Sequence, residues 1–245
     1  MSRRTTYYGA SSASGIAWTA YWNANGNTNE PYNGLNGVWN ATSHYDTGKD
    51  GQAFDFGSGN QNRWVTVADN DLLSATGPSG DVPFTLRMWI YYTGISSKGN
   101  FLFCKRDDRS GPDTEYWLRL DDNGTYVLTR FSGASQGNLV RTFSNVFAPL
   151  GQWVCVHVVC DGTKFGVDIY INGVNETWKH EGAGNYVDMN STDSSVVIGS
   201  NPLSLGGNQF KHRGLIDEIG WLKGRALTPS EIADDYNGGA GKFYP

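Results

Sequence analysis

Between residues 16 and 222 the apolar residues of this chain fall in short alternating runs, and nearly every run is closed by a turn signal. Phe84–Tyr92 (FTLRMWIYY) puts Phe84, Leu86, Met88 and Ile90 on one face and Thr85, Arg87, Trp89 and Tyr91 on the other, which is the period of a strand. Trp153–Cys160 and Phe165–Ile171 read as a hairpin across Asp-Gly-Thr-Lys, and Asn172-Gly173 turns the chain into a strand over Val174–His180. Tyr116–Leu120 and Tyr126–Phe131 are joined by Asp-Asp-Asn-Gly, another hairpin signal. Ile16–Trp22, Asn100–Lys105, Val196–Ile198 and Leu215–Leu222 have the same strand character, and Gln52–Phe56 with Trp64–Val67 reads as a further hairpin. Asn23 to Asn40, rich in Asn and Gly, reads as a long surface loop. About a dozen short strands admit one fold class, an all-β, two-sheet antiparallel sandwich or jelly roll.

One helix breaks this pattern, at the C-terminal end. Thr228-Pro229-Ser230-Glu231 has Thr at the N-cap, Pro at the first helical position and Glu at the third, a capping box. Ile232 and Tyr236 then share a face, and Gly238 is placed to end the helix. No repeat and no linker divides the chain, so residues 16–245 read as one domain behind a polar, flexible arm over residues 1–15.

Composition excludes several functions. The net charge is −5 with no basic block, which argues against nucleic acid as a partner. No apolar run reaches the ~18 residues of a membrane span. Cys104, Cys155 and Cys160 are an odd set without framework spacing. Cys155 and Cys160 face opposite sides of one strand, so they read as buried free thiols. The N-terminus carries no apolar core of a secretory signal, and export by the usual route is not expected.

The order of motifs carries a resemblance. DTGKDGQAFDFGSGNQNRWVTV (46–67), VPFTLRMWIYY (82–92), GQWVCVHVVCDGTKFGVDIYINGV (151–174), VVIGS (196–200) and GLIDEIGWLKGRALTPSEI (214–232) together resemble the laminin-G-like, concanavalin A-like lectin/glucanase jelly-roll superfamily, in its bacterial and viral form. The resemblance implies a β-sandwich used mostly for binding and adhesion, with ligands at a rim or on the concave sheet. It also implies an Asp near position 217 that helps to hold a structural calcium ion, the one cofactor expected here.

Site residues follow from residue chemistry. The loop 106–115 carries Asp107, Asp108 and Asp113, hard oxygen ligands that suit a bound ion or ligand. The same loop also reads as a solvated segment with internal Arg–Asp pairs. Alternation in LIDEIGW sends Asp217 and Glu218 to opposite faces, with Asp217 outward, solvated or bonded to a neighbouring loop. Trp89, Trp153, Tyr170 and Trp221 read as core aromatics between the sheets, or as glycan-stacking rings wherever one is exposed. His157 reads as a packed or bonded strand residue.

Catalytic residues are not expected. None of Glu30, Glu115, Glu176, Glu181, Glu218 and Glu231 falls in the Glu-x-Asp-x-x-Glu spacing of the superfamily's hydrolases. Nor is there a metalloprotease, nucleophile-elbow or phosphate-loop motif. Two readings of function stand beside a polysaccharide-active enzyme. One is a virion surface protein, a phage capsid decoration or fibre-associated protein that docks on other virion proteins through the arm and has glycan affinity. The other is a free glycan-binding adhesion module, extracellular or at the cell surface.

Overall fold

The computed structural model describes residues 15–58, 62–95, 99–106, 113–133, 137–200 and 210–244. Along the chain run β1 (Ala20–Trp22), β2 (Gly37–Trp39), β3 (Tyr45–Thr47), β4 (Gln52–Asp55), β5 (Val65–Val67), β6 (Thr76–Gly77) and β7 (Gly80–Asp81). There follow β8 (Phe84–Tyr92), β9 (Asn100–Arg106), β10 (Thr114–Leu120), β11 (Thr125–Phe131), β12 (Leu139–Phe147) and β13 (Trp153–Cys160). The last elements are β14 (Val167–Ile171), β15 (Val174–Asn175), β16 (Thr177–Ala183), β17 (Val196–Ile198), β18 (Gly214–Lys223) and the helix α1 (Pro229–Tyr236).

Two antiparallel sheets face each other. The back sheet has the order β15-β14-β13-β8-β18-β4-β3, with β1 also on β18, and the front sheet β16-β12-β11-β10-β9-β17-β5-β2. The inward row of β8 meets Leu102, Phe103, Tyr116, Leu118 and Leu128 from the front sheet. At the centre Trp221 stacks on Phe84 at 4.9 Å and on Tyr116 at 5.3 Å between ring centroids. A second apolar layer lies behind the back sheet. There Ile16, Trp18, Tyr21, Leu227, Ile232 and Tyr244 cover Val159, Tyr170 and Leu222.

That extra layer corrects the aromatic expectation. Of the four rings expected between the sheets, only Trp221 is there. Tyr170 belongs to the rear layer, Trp89 is buried behind the sheet under the ring of Tyr236, and Trp153 is half-buried on the same rear face. Other expectations change with topology. Gln52–Phe56 and Trp64–Val67 are not a hairpin, because β4 pairs with β3 and β18 in the back sheet while β5 pairs with β2 and β17 in the front sheet. The Val174–His180 strand likewise splits, β15 staying on β14 and β16 crossing to β12. The presumed loop 23–40 contains β2 and the buried Glu30 and Leu35. The arm 1–14 lies outside the described residues. The Asn172-Gly173 turn does form, with φ of 51° and 80°, the left-handed pair a two-residue hairpin needs.

Candidate functional site

Two clusters of charge stand out among the described residues, and they differ in what they can do. The first is behind the back sheet, under α1. β18 carries a bulge at Glu218, whose φ is 53°, and the register with β8 slips between Asp217 and Gly220. Ile216 and Ile219 therefore both point into the core, and Asp217 and Glu218 both lie behind the sheet rather than on opposite faces. The extra residue cancels the alternation on which the sequence reading rested.

Arg87 organises this cluster. Its Nε lies 3.1 Å from Asp235 Oδ2, its Nη1 lies 3.8 Å from Glu218 Oε2, and its Nη2 donates to the Lys242 carbonyl at 2.8 Å. The Tyr21 hydroxyl donates to Glu218, the Tyr244 hydroxyl donates to Asp235 Oδ1 at 2.6 Å, and His157 Nε2 sits 2.9 Å from Asp235 Oδ2. Burial, with Asp217 beside it, pushes Glu218 up to about 8 despite the Tyr21 hydrogen bond. Burial raises Asp217 to about 7. At His157 burial opposes the charge, but Cys155 and Asp235 outweigh it and raise the imidazole to about 9. Asp235 is held low because Arg87 and His157 overcome its burial.

Cys155, His157 and Asp235 bring ligand atoms within 4.8 Å of one another. Arg87 pairs with Asp235, and His157 bonds to the same carboxylate oxygen, so as arranged here the three residues form an ion-pair anchor for α1. Asp217 accepts backbone N–H groups of Lys49 at 2.8 Å, Asp50 at 3.2 Å and Glu218 at 2.8 Å. Three N–H donors suit an anion, whereas calcium takes an oxygen shell. The arrangement at Asp217 does not fit the structural calcium implied by the resemblance.

The second cluster opens to solvent. At the Phe84 end of the sandwich a cleft of about 540 Å³ is lined by Asp71, Ser74, Thr76, Asp188, Ser191 and Lys223, with Pro78 and Met189 as its apolar part. Two buried ion pairs hold its walls. Lys105 Nζ lies 3.2 Å from Glu115 Oε1 and 2.5 Å from Asp69 Oδ1, and it donates to the carbonyls of Thr192 at 3.1 Å and Ser194 at 2.7 Å. Ser74 Oγ and the Thr192 N–H also donate to Glu115 Oε1, at 3.1 and 2.8 Å. On the other side Asp81 accepts from Arg130 Nη1 at 3.0 Å, the Tyr186 hydroxyl at 2.5 Å and the Met189 N–H at 2.6 Å.

Two charged groups at and behind the Ser74 wall of this cleft are incompletely paired or shifted by burial. Glu115 Oε2 is buried without a hydrogen-bond partner, and burial raises the Glu115 pKa against the pull of Lys105. Lys223 Nζ donates to the Asp71 carbonyl at 2.6 Å, and burial lowers its pKa against Asp71 and Glu115. Hydroxyls, two carboxylates and an ammonium on braced walls suit a ligand rich in hydroxyl groups.

Asp113 adjoins this region, its carbonyl accepting from Ser194 Oγ at 2.7 Å. Asp107 and Asp108 lie outside the described residues. The sequence reading passed over Lys105, Glu115, Asp71 and Asp188, which are far apart in the chain. Its one usable signal was a Lys and a Glu set in otherwise apolar strands, NFLFCK and TEYWL.

Comparisons bear on the fold. The family model described as the Concanavalin A-like lectin/glucanases superfamily matches residues 58–233. No curated protein matches the sequence. Among solved structures, domain 4 of AbnA, a GH43 extracellular arabinanase from Geobacillus stearothermophilus, in complex with arabinotriose, is 21% identical with a TM-score of 0.63, over 89% of this chain and 97% of that one. The binding domain of Paraclostridial Mosquitocidal Protein 1 is 16% identical with a TM-score of 0.62, over 84% of this chain and 48% of that one. A botulinum neurotoxin type C structure, from work tying cell entry to interaction with two ganglioside molecules, is 16% identical with a TM-score of 0.61, over 89% of this chain and 50% of that one. The chain thus spans about half the length of the toxin chains it matches.

Proposed function

The chain belongs to the Concanavalin A-like lectin/glucanases superfamily, and from that premise we propose that it is a non-enzymatic, lectin-like module whose rim cleft binds a glycan. The observation that carries this reading is the cleft itself, polar, solvent-open and braced by two buried ion pairs. A similar fold in complex with arabinotriose, and another from a toxin whose cell entry depends on two ganglioside molecules, support the ligand class. A binding role is favoured over hydrolysis because the adjacent carboxylates Asp217 and Glu218 are buried behind the sheet and do not line the cleft.

A glycan array with the purified protein tests this. Asp188→Ala and Lys223→Ala each weaken binding by about tenfold to a hundredfold, the worth of one hydrogen bond to a charged group. Wild-type affinity in both variants would overturn the cleft as the site. Release of reducing sugar from a bound polysaccharide would overturn the non-enzymatic reading.

Residues 16–245 are proposed as one unit, since β1, β4 and β8 all pair with β18 and tie both ends of the chain to one strand. The finer role we propose is at the surface of a virion, with other virion proteins as partners. Trp178 (61% exposed) on β16 and Phe147 (65%) on β12 are where we propose that such partners pack. Sedimentation of native particles, with the chain absent from the pellet, would refute the virion role and leave the free adhesion module.

A further inference from the structure

The rear face of the back sheet is covered at one end by α1 and residues 16–22, and no described residue covers the other end. At the open end the register aligns one residue from each of four neighbouring strands. Trp153 on β13 pairs with Tyr91 on β8, Tyr91 pairs with Leu215 on β18, and Leu215 pairs with Asp55 on β4. All four are half-buried. The rings of Trp153 and Tyr91 lie 5.6 Å apart at 56°. At the far end of the row Asp55 Oδ2 accepts from Arg63 Nη1 at 3.2 Å, with Asp46 beside them on β3. A cavity of about 370 Å³ includes Tyr91, Leu215, Asp55, Asp46 and Arg63 in its walls.

The backbone is shaped to present this row. Gly214 has φ of 129°, and a Cβ there would sit 1.9 Å from the Tyr91 carbonyl oxygen. Only glycine lets β18 begin so close against β8, which keeps Leu215 level with the Tyr91 ring.

The geometry points to a second ligand surface here, one that takes a neutral oligosaccharide laid across the strands. Three strand spacings give the row a length of about 14 Å, which suits roughly a trisaccharide. The apolar C–H faces of the sugar rings rest on Trp153, Tyr91 and Leu215. Their hydroxyls meet Asp55, Arg63 and Asp46, a mixed acceptor and donor set. Two carboxylates against one guanidinium leave the row acidic, which selects neutral over sialylated or sulfated sugars.

This inference shares the lectin-like reading but not its site. Along β8 the cleft lies beside Phe84, paired with Lys223, and the row runs through Tyr91, paired with Leu215. Seven residues of strand put them about 23 Å apart, so each can be removed without the other.

Calorimetric titration with cellohexaose, xylohexaose, mannohexaose and arabinohexaose tests it. At least one of the four binds the wild type. Tyr91→Ala and Trp153→Leu each lower that affinity by about threefold to tenfold, the size of one lost stacking contact. Trp153→Leu keeps an apolar side chain and guards against misfolding, which thermal unfolding of each variant checks. Failure of all four sugars to bind overturns the row but not the cleft, which the array tests with other glycans. Binding abolished by the cleft variants and untouched by Tyr91→Ala and folded Trp153→Leu overturns the row and supports the cleft.

Discussion

Arg87 is fully buried and surrounded by Tyr21, Glu218, Asp235 and the Lys242 carbonyl, so the protonation of this group of residues sets how stability varies with pH. Folded Glu218, at about 8 against an ordinary 4.5, and folded Asp217, at about 7 against 3.8, hold their protons more tightly than in the unfolded chain. The folded state therefore carries more protons across that window, and stability falls as pH rises from 4 to 8. His157 acts in the same direction, its contribution complete below 6.5 and lost as pH rises through about 9. The melting temperature is expected to be higher at pH 5.5 than at pH 9, and Glu218→Gln flattens the profile. A flat wild-type profile would remove the buried-carboxylate account. Asp235→Ala leaves Arg87 and His157 buried without their anion and costs about 3–5 kcal/mol, read from urea unfolding. The sequence marked Asp217 and Glu218 as unusual but put them on opposite faces. A bulge depends on which strands flank it, and local alternation does not contain that information.

At the scale of elements, β18 and α1 work as a pair. β18 supplies Trp221 to the core and Gly220 to the rear face, where the Trp18 ring lies so close that a Cβ on Gly220 would sit 2.8 Å from it. Gly220→Ala overpacks that contact and is expected to cost about 1–3 kcal/mol. α1 has the capping box that the sequence announced, with Thr228 Oγ1 accepting from the Glu231 N–H at 3.3 Å and Glu231 Oε2 accepting from the Thr228 N–H at 2.9 Å. Thr228→Ala costs about 1 kcal/mol and loosens the helix that delivers Asp235 to Arg87. Hydrogen exchange of residues 229–236 should quicken in this variant while β8 stays protected. The helix was legible because its signals are local. β12 was not, because its inward positions include Thr142 and Ser144, both buried and hydrogen-bonded, so its polar and apolar residues do not alternate as a half-buried strand's should.

At the scale of the molecule, the sandwich separates its charge from its surfaces. One buried network fastens the C-terminal helix, a second braces the rim cleft, and the aromatic row lies at the far end of the same central strands. Removal of divalent cations with EDTA is expected to leave the melting temperature unchanged, because the donors around Asp217 are N–H groups. A fall of several degrees would place an ion in the structure after all. By itself the sequence determined the fold class, the capped helix, the inward row of β8, the hairpins closed by Asn-Gly and Asp-Gly turns, and the burial of three free thiols. These follow from periodicity and turn chemistry, which act between residues close in the chain. Only the tertiary structure decided which sheet each strand joins and which face of the back sheet is covered. It alone brought Lys105 to Glu115, Arg87 to Asp235 and Trp153 to Asp55, because sheet register and burial arise from contacts between segments far apart in sequence.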